Sequence, residues 1–213
     1  MNATYKLNRA LGRLFDAHGR SFDPRQRVWS TATSPAIGEP VDSRCAAAWL
    51  QRESGFAVRV PVGVIGPRDA SAEQLLAAEA VGRGLAEMGL PIICGGRHGV
   101  MEAACRGVAA GDGVSIGLLP DADPAFANPY VGIVIATGIG EARNALIARA
   151  ALCLVVIGDS YGTLSEVALG RQFGKRVIGL EGAARVDGVE HAASVDAALD
   201  AVASCVLAVQ VTM

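Results

Sequence analysis

The chain has 213 residues, enough for one domain of ordinary size or for one domain with a small appendage. Hydrophobic residues make up 51% and aromatics only 5%, with 26 glycines, so the core must be built from Ala, Val, Leu and Ile packed closely around backbone, the look of helices on a parallel sheet. A formal net charge of -2 with scattered arginines gives no field for polyanions, and the longest purely apolar run, 150–157, is far below the roughly 18 residues that span a bilayer, so neither nucleic acid nor membrane is expected as a partner.

The five cysteines (45, 94, 105, 153 and 205) leave an odd one and contain no C-x-x-C pair. They read as small core residues in a reducing compartment. Because 1–20 lacks a continuous apolar segment, secretion is not signalled, and a soluble cytoplasmic protein is the expectation.

In chain order, 1–55 reads as an N-terminal appendage. Tyr5, Phe15, Phe22 and Trp29 stand among charges, "SFDPRQRVWS" reads as a turn between two short strands, and "SPAIGEP" as a loop. A short helix follows over 42–54 with Ala46, Trp49 and Leu50 on one face. The remainder, 56–213, is expected to form one Rossmann-like domain. It opens with strand "VRVPVGVIG" and a helix capped by Ser71 with Gln74 three residues on, ending at Gly89. Strand "PIICGG", helix "HGVMEAACRGVAAG", strands "VSIGLL" and "YVGIVIATG", helix "EARNALIARA", strand "ALCLVVIG", helix "GTLSEVALGRQFG" and strand "RVIGL" come next. A helix over 195–205 and a final strand over 206–211 close the series. This alternation predicts an α/β fold: a doubly wound, mostly parallel sheet with helices on both faces.

In such sheets ligands bind outside the carboxyl ends of the strands, which directs attention to four turns: "GVIGPRDAS" with Gly66, "CGGRHGVM", "ATGIGEARN" and "IGDSYGTLSE". A glycine-rich turn opening a helix presents free N–H groups, and the helix dipole adds about half a positive charge, so the site favours an anion. Gly95, Gly96 and Gly99, with His98 beside them, form one such turn. Gly162 and Thr163, after Asp159, Ser160 and Tyr161, form another. The plainer reading is that these glycines only allow tight turns and close helix packing.

Two side chains carry alternatives. Thr163 with Glu166 fits a capping box, in which the glutamate binds the backbone of its own helix start; the other reading makes Glu166 catalytic. Arg143 shares a helical face with Leu146, Ile147 and Ala150, which should pack on the sheet, so its guanidinium needs Glu166, Glu141 or a ligand anion as partner unless its head reaches solvent.

Other motifs fall away. Ser115 in "GVSIG" lies inside a strand rather than on a nucleophile elbow, "GRQFGKR" is one spacer short of a P-loop, and the first turn lacks G-x-G-x-x-G. A pyridoxal enzyme needs a lysine, and Lys6 and Lys175 lie on no suitable turn. Asp121 and Asp123 read as solvated loop carboxylates, and no metal site is expected.

Together "GGRHGVMEAACRG", "GIGEARNALIARAA" and "GDSYGTLSEVALG" resemble the motifs of the Lonely Guy (LOG), or lysine-decarboxylase-like, superfamily, most closely the branch related to the molybdenum cofactor carrier protein; the resemblance covers about 58–180. It implies that Arg143 and Glu166 match the catalytic pair of the phosphoribohydrolase members, which release the base from nucleoside 5′-monophosphates. It also implies that Gly162 and Thr163 match the phosphate-binding positions. Asp159 and Ser160 replace family glycines, Pro67 and Arg68 replace small hydroxyl residues, and His98 stands where many relatives have glycine. The resemblance therefore implies a nucleotide- or pterin-phosphate-binding protein first, a phosphoribohydrolase second, and a non-catalytic oligomer with a decayed pocket third. It implies no required cofactor, a bound nucleotide, phosphate or molybdopterin-type ligand, and a homodimer or higher homo-oligomer.

Overall fold

The structure is a computed structural model and describes residues 5–208. By internal contacts it divides into two compact units, one holding residues up to Val58 together with those from Asp200 onward, the other Arg59–Leu199. The expected 56–213 unit therefore differs at its end, because the last turns of the C-terminal helix group with the N-terminal residues.

In the first unit, strands β1 (Tyr5–Asn8), β2 (Arg13–Phe15), β3 (Arg20–Asp23), β4 (Val28–Thr31) and β5 (Glu39–Val41) form an antiparallel sheet in the order β4-β3-β2-β1-β5. Tyr5 and Phe22 pack against Trp29, with ring centroids 5.7 and 4.9 Å away. Helix α1 (Ser43–Arg52) starts where Asp42 accepts the Cys45 N–H, and it buries Ala46, Trp49 and Leu50 as its periodicity predicts. Arg27 donates to the carbonyls of Cys205 and Val206, and the Trp29 indole N–H to that of Leu207. Those are carbonyls that a helix end leaves without intrahelical donors, which explains why the chain end groups with this unit.

In the second unit, seven parallel strands form one sheet: β6 (Val62–Ile65), β7 (Ile92–Cys94), β8 (Ser115–Leu119), β9 (Ile133–Ala136), β10 (Leu154–Ile157), β11 (Val177–Leu180) and β12 (Val189–His191). Their order is β12-β11-β10-β6-β7-β8-β9. The chain starts at the middle, runs out to β9, returns to the other side of β6 at β10 and runs out to β12. The switch point therefore lies between β6 and β10, where connections leave in opposite directions and a crevice opens. The central strands β6, β7 and β10 are buried along their whole length, as their uninterrupted apolar sequences require.

Helices α2 (Ala72–Glu87) and α3 (Val100–Ala110) pack on each other, as do α4 (Arg143–Ala150) and α5 (Tyr161–Gln172). The Ser71 and Gln74 capping box forms at the start of α2. The doubly wound α/β expectation holds. Ser115 lies within β8, its hydroxyl donating to the Tyr130 carbonyl and accepting the Gly132 N–H, so it is no nucleophile elbow. Helix α6 (Val195–Val206) runs past the expected start of a final strand: Val206 is helical, Leu207 and Ala208 form a turn, and 209–211 lie outside the described residues. No helix among the described residues is long and apolar enough to cross a membrane.

Candidate functional site

At the carboxyl ends of β6, β7 and β10 lies a cleft of about 410 Å³. Its walls come from the turn after β6 (Gly66, Arg68, Asp69), from Gly95 after β7, from Met101 of α3, from Glu141, Arg143 and Asn144 at the start of α4, and from Ser160, Gly162, Thr163 and Glu166 of the turn into α5. Turns far apart in sequence meet at the switch point because β6, β7 and β10 are neighbours and the crossover from the edge strand β9 back to β10 carries the start of α4 over them.

The start of α5 differs from the capping-box expectation. Ser160, three residues before Thr163, is the N-cap: its Oγ accepts the Thr163 N–H at 3.1 Å and lies 2.8 Å from the Thr163 hydroxyl. With Ser160 in that role the helix begins one turn earlier than a Thr163 cap would place it. Glu166 thus sits beyond N3 and cannot return to the helix start. The first-turn N–H groups of Tyr161 and Gly162 keep no intrahelical acceptor, and Gly162 lines the cleft, where a Cβ would meet Ser160 Oγ at an ordinary 3.8 Å.

Glu166 instead receives a hydrogen bond from Arg143 Nη1 at 3.1 Å, in a pair whose side chains are only 6% and 8% exposed. Among the partners open to Arg143 from sequence, the structure selects Glu166. The guanidinium lies on the backbone of Gly95, where any Cβ would strike Arg143 Nη2 and the Met101 sulfur, so glycine is required for Arg143 to occupy this place. Arg143 Nε is buried and has no protein acceptor. Burial raises the Glu166 carboxyl from its ordinary value to about 7; Arg143 opposes the rise and the Glu141 carboxylate adds to it. Its protonated and ionised forms are therefore close in free energy at neutral pH.

Asn144 extends the site. Its Nδ2 donates to Ser165 Oγ at 3.0 Å, and that hydroxyl donates to the Gly162 carbonyl at 2.7 Å, which ties α4 to the first turn of α5. At the mouth, Arg68 and Glu141 face each other at 3.5 Å, both well exposed. The α5 amides, Arg68 and Arg143 favour an anion, while Asp69 and Glu141 keep the cleft from being uniformly cationic.

The expected site residues divide. Gly66, Gly95, Arg143, Ser160, Gly162, Thr163 and Glu166 line one cleft. Gly96, His98, Gly99, Asp159 and Tyr161 are not among its lining residues. His98 points outward to the Glu102 carboxylate, 3.1 Å away, and Asp159 and Tyr161 are exposed. Gly99 faces the carbonyls of Pro67 and Arg68, and the Val100 N–H that follows donates to Pro67. The start of α3 is thus tied to the neighbouring turn instead of offering this amide to a ligand. Arg68, Asp69, Met101, Glu141 and Asn144 also line the cleft and are not binding candidates from sequence; Glu141 enters there only as a possible Arg143 partner and Arg68 only as a departure from the family motif.

Comparison with known proteins adds independent support. An uncharacterized protein of Archaeoglobus fulgidus is 38% identical over 120 residues, 56% of this chain and 79% of that protein. The molybdenum cofactor binding protein of the phototrophic bacterium Rippkaea orientalis superposes with a TM-score of 0.65 at 32% identity, covering 70% of this chain and 98% of the other. The Moco carrier protein of Chlamydomonas reinhardtii also gives a TM-score of 0.65, at 34% identity and with 71% and 100% coverage. Residues 59–209 match the SLOG cluster4 family, a span that contains every wall of the cleft, in agreement with the resemblance carried by the three motifs. On this match and this shared fold, the chain belongs to the SLOG cluster4 family.

Proposed function

We propose that the cleft binds a small phosphorylated ligand of nucleotide or pterin-phosphate type, in the manner of a carrier. The observation that carries this reading is the pairing of free amides at the α5 start, at Tyr161 and Gly162, with the buried Arg143 held on Gly95. A phosphate at a helix start meets N–H donors and the positive end of the dipole, and a buried guanidinium supplies further charge-assisted donors at little reorganisation cost. The solved relatives named for molybdenum cofactor binding support a pterin-bearing ligand. A homodimer or higher homo-oligomer and a cytoplasmic location accompany this proposal, and it needs no cofactor for binding.

A second reading is phosphoribohydrolase activity, favoured by Glu166. A buried carboxyl poised at about 7 beside an arginine suits proton transfer to or from a ribosyl centre, supporting positive charge as the base departs. Calorimetry with adenosine and guanosine monophosphates and with molybdopterin, combined with chromatographic assay of free base, separates the two. Binding without base release supports the carrier; release lost in Glu166→Gln supports hydrolysis. Absence of binding to all three ligands overturns both and favours a decayed pocket.

A further inference from the structure

Two neighbouring side chains of the cleft each keep a buried hydrogen-bonding atom without a partner among the described residues. Arg143 and Asn144 open α4, line the cleft and are each only 5% exposed. Arg143 places Nη1 on Glu166, which leaves the donor Nε. Asn144 places Nδ2 on Ser165, which leaves the acceptor Oδ1. The Ser165 hydroxyl fixes which way round that amide stands: its single proton goes to the Gly162 carbonyl, so toward Asn144 it only accepts, and the amide nitrogen must face it. A buried donor and a buried acceptor left without partners are costly, and in a cleft each points to a group that arrives with the ligand.

We propose that Asn144 selects the ligand by accepting a hydrogen bond from one of its hydroxyl groups, to which Arg143 Nε donates in turn. The inference rests on the phosphorylated-ligand reading of the cleft and narrows it to phosphate monoesters with a free hydroxyl close to the phosphate, as in the ribose of a nucleoside 5′-monophosphate. The chemistry of the two atoms makes the choice. An ionised phosphate oxygen answers Nε but faces Oδ1 acceptor to acceptor, and an amine or ring N–H answers Oδ1 but not Nε. A hydroxyl answers both, because it donates one bond and accepts others. Its place follows from the relay: Asn144 is tied through Ser165 to Gly162, in the first turn of α5 where the phosphate is proposed to sit, so the group that meets Asn144 belongs to the alcohol that the phosphate esterifies. A pterin-phosphate without such a hydroxyl leaves both atoms unanswered.

The test is calorimetry with guanosine 5′-monophosphate and with its 2′-deoxy and 3′-deoxy analogues. Wild type is expected to bind at least one deoxy analogue about 10-fold or more weakly than the parent. In Asn144→Ala the parent should weaken by a similar factor while that analogue stays within about twofold, so the preference disappears; a residue that only supports the fold would weaken all three alike. Ser165→Ala, at an exposed position, removes the hydroxyl that orients the amide and should reduce the preference without abolishing binding; it carries the test if Asn144→Ala does not fold. Equal affinity of wild type for the three nucleotides overturns the inference and leaves the phosphate reading standing, water then answering the two atoms. A preference that survives unchanged in either variant overturns it too, as does an equal loss of all three ligands in Asn144→Ala. Binding of molybdopterin but of no nucleotide overturns the inference and leaves the carrier reading, whereas binding of none of the four overturns both.

Discussion

Two turns of this protein look alike in sequence and behave differently in the fold. Both the β7–α3 turn, "CGGRHGVM", and the β10–α5 turn, "GDSYGTLSE", join a buried strand to a helix through glycines and hydroxyl or imidazole side chains. In the first, Val100 donates to the Pro67 carbonyl, Gly99 presses on the same neighbouring turn, and His98 faces Glu102. In the second, Ser160 satisfies Thr163 alone and leaves Tyr161 and Gly162 to face outward from the helix start. Each helix start thus keeps two first-turn amides without an intrahelical acceptor or side-chain cap, Met101 and Glu102 in α3 and Tyr161 and Gly162 in α5, so what separates the turns is how they reach the cleft: the α5 turn lines it with Ser160, Gly162 and Thr163, the α3 turn with Gly95 and Met101. The first turn instead acts as scaffold, since Gly95 seats Arg143.

Substitutions at the glycines test this difference most strongly. Gly99 has φ of +70°, and a Cβ there would strike the Arg68 and Pro67 carbonyl oxygens, so Gly99→Ala combines left-handed strain with a clash against backbone. A loss of about 3 kcal/mol is expected in urea unfolding. Gly95→Ala acts on function more than on folding: its methyl group displaces the Arg143 guanidinium, and ligand affinity measured by calorimetry should fall at least about 10-fold. If Gly99→Ala costs nothing, the first turn is not the rigid support described.

The pH dependence has a sign that belongs to the second turn. The native Glu166 carboxyl holds its proton to about 7, whereas the unfolded chain releases it near the ordinary value of 4.5. Protonation therefore favours the fold most below 4.5, and this contribution is lost as pH rises toward about 7. Glu166→Gln, which mimics the protonated group, should flatten that decline in denaturation curves taken from pH 4.5 to 7.5. A ligand anion should likewise bind more tightly as pH falls through about 7, because neutralising Glu166 removes a negative charge beside Arg143. Affinity that rises with pH over this range would mean that Glu166 does not face the bound anion.

Much of this contrast was legible in the chain before any coordinates. The regular β-α alternation gives the sheet, the Ser71 and Gln74 spacing gives the α2 cap, and a guanidinium at Arg143 on an apolar stripe narrows the reading to a buried anionic partner or a head that reaches solvent. What stayed hidden depends on competition or on distance. Ser160 and Thr163 both qualify as caps, and only the fold shows that Ser160 takes the position. The amide of Val100 finds an acceptor 33 residues earlier in sequence, at Pro67, which no local pattern signals. The strands of the first sheet have three or four residues, with exposed Arg13 and Arg20 opening two of them, too short for a period of two to stand out.

Smaller changes sharpen the comparison from the opposite side. At Gly162 a Cβ would have Ser160 Oγ as its nearest neighbour, at 3.8 Å, and the residue lies within a helix. Gly162→Ala should therefore stabilise the protein by about 0.5–1 kcal/mol through helix propensity, yet weaken ligand binding because it adds a methyl group to a residue that lines the cleft. Stability and affinity moving in opposite directions is a signature that a merely structural glycine would not give.

His98 supplies the smallest expected effect and a direct check on the first turn. Its imidazole is well exposed and lies beside the Glu102 carboxylate four residues along the chain, an arrangement worth only a few tenths of a kcal/mol at a surface. His98→Ala should shift unfolding by less than about 0.5 kcal/mol and leave phosphate-ligand affinity within about twofold of wild type in calorimetry. A larger loss of affinity would place an anion against the α3 start after all, and would require Val100 to exchange its Pro67 acceptor for a ligand oxygen when the cleft fills.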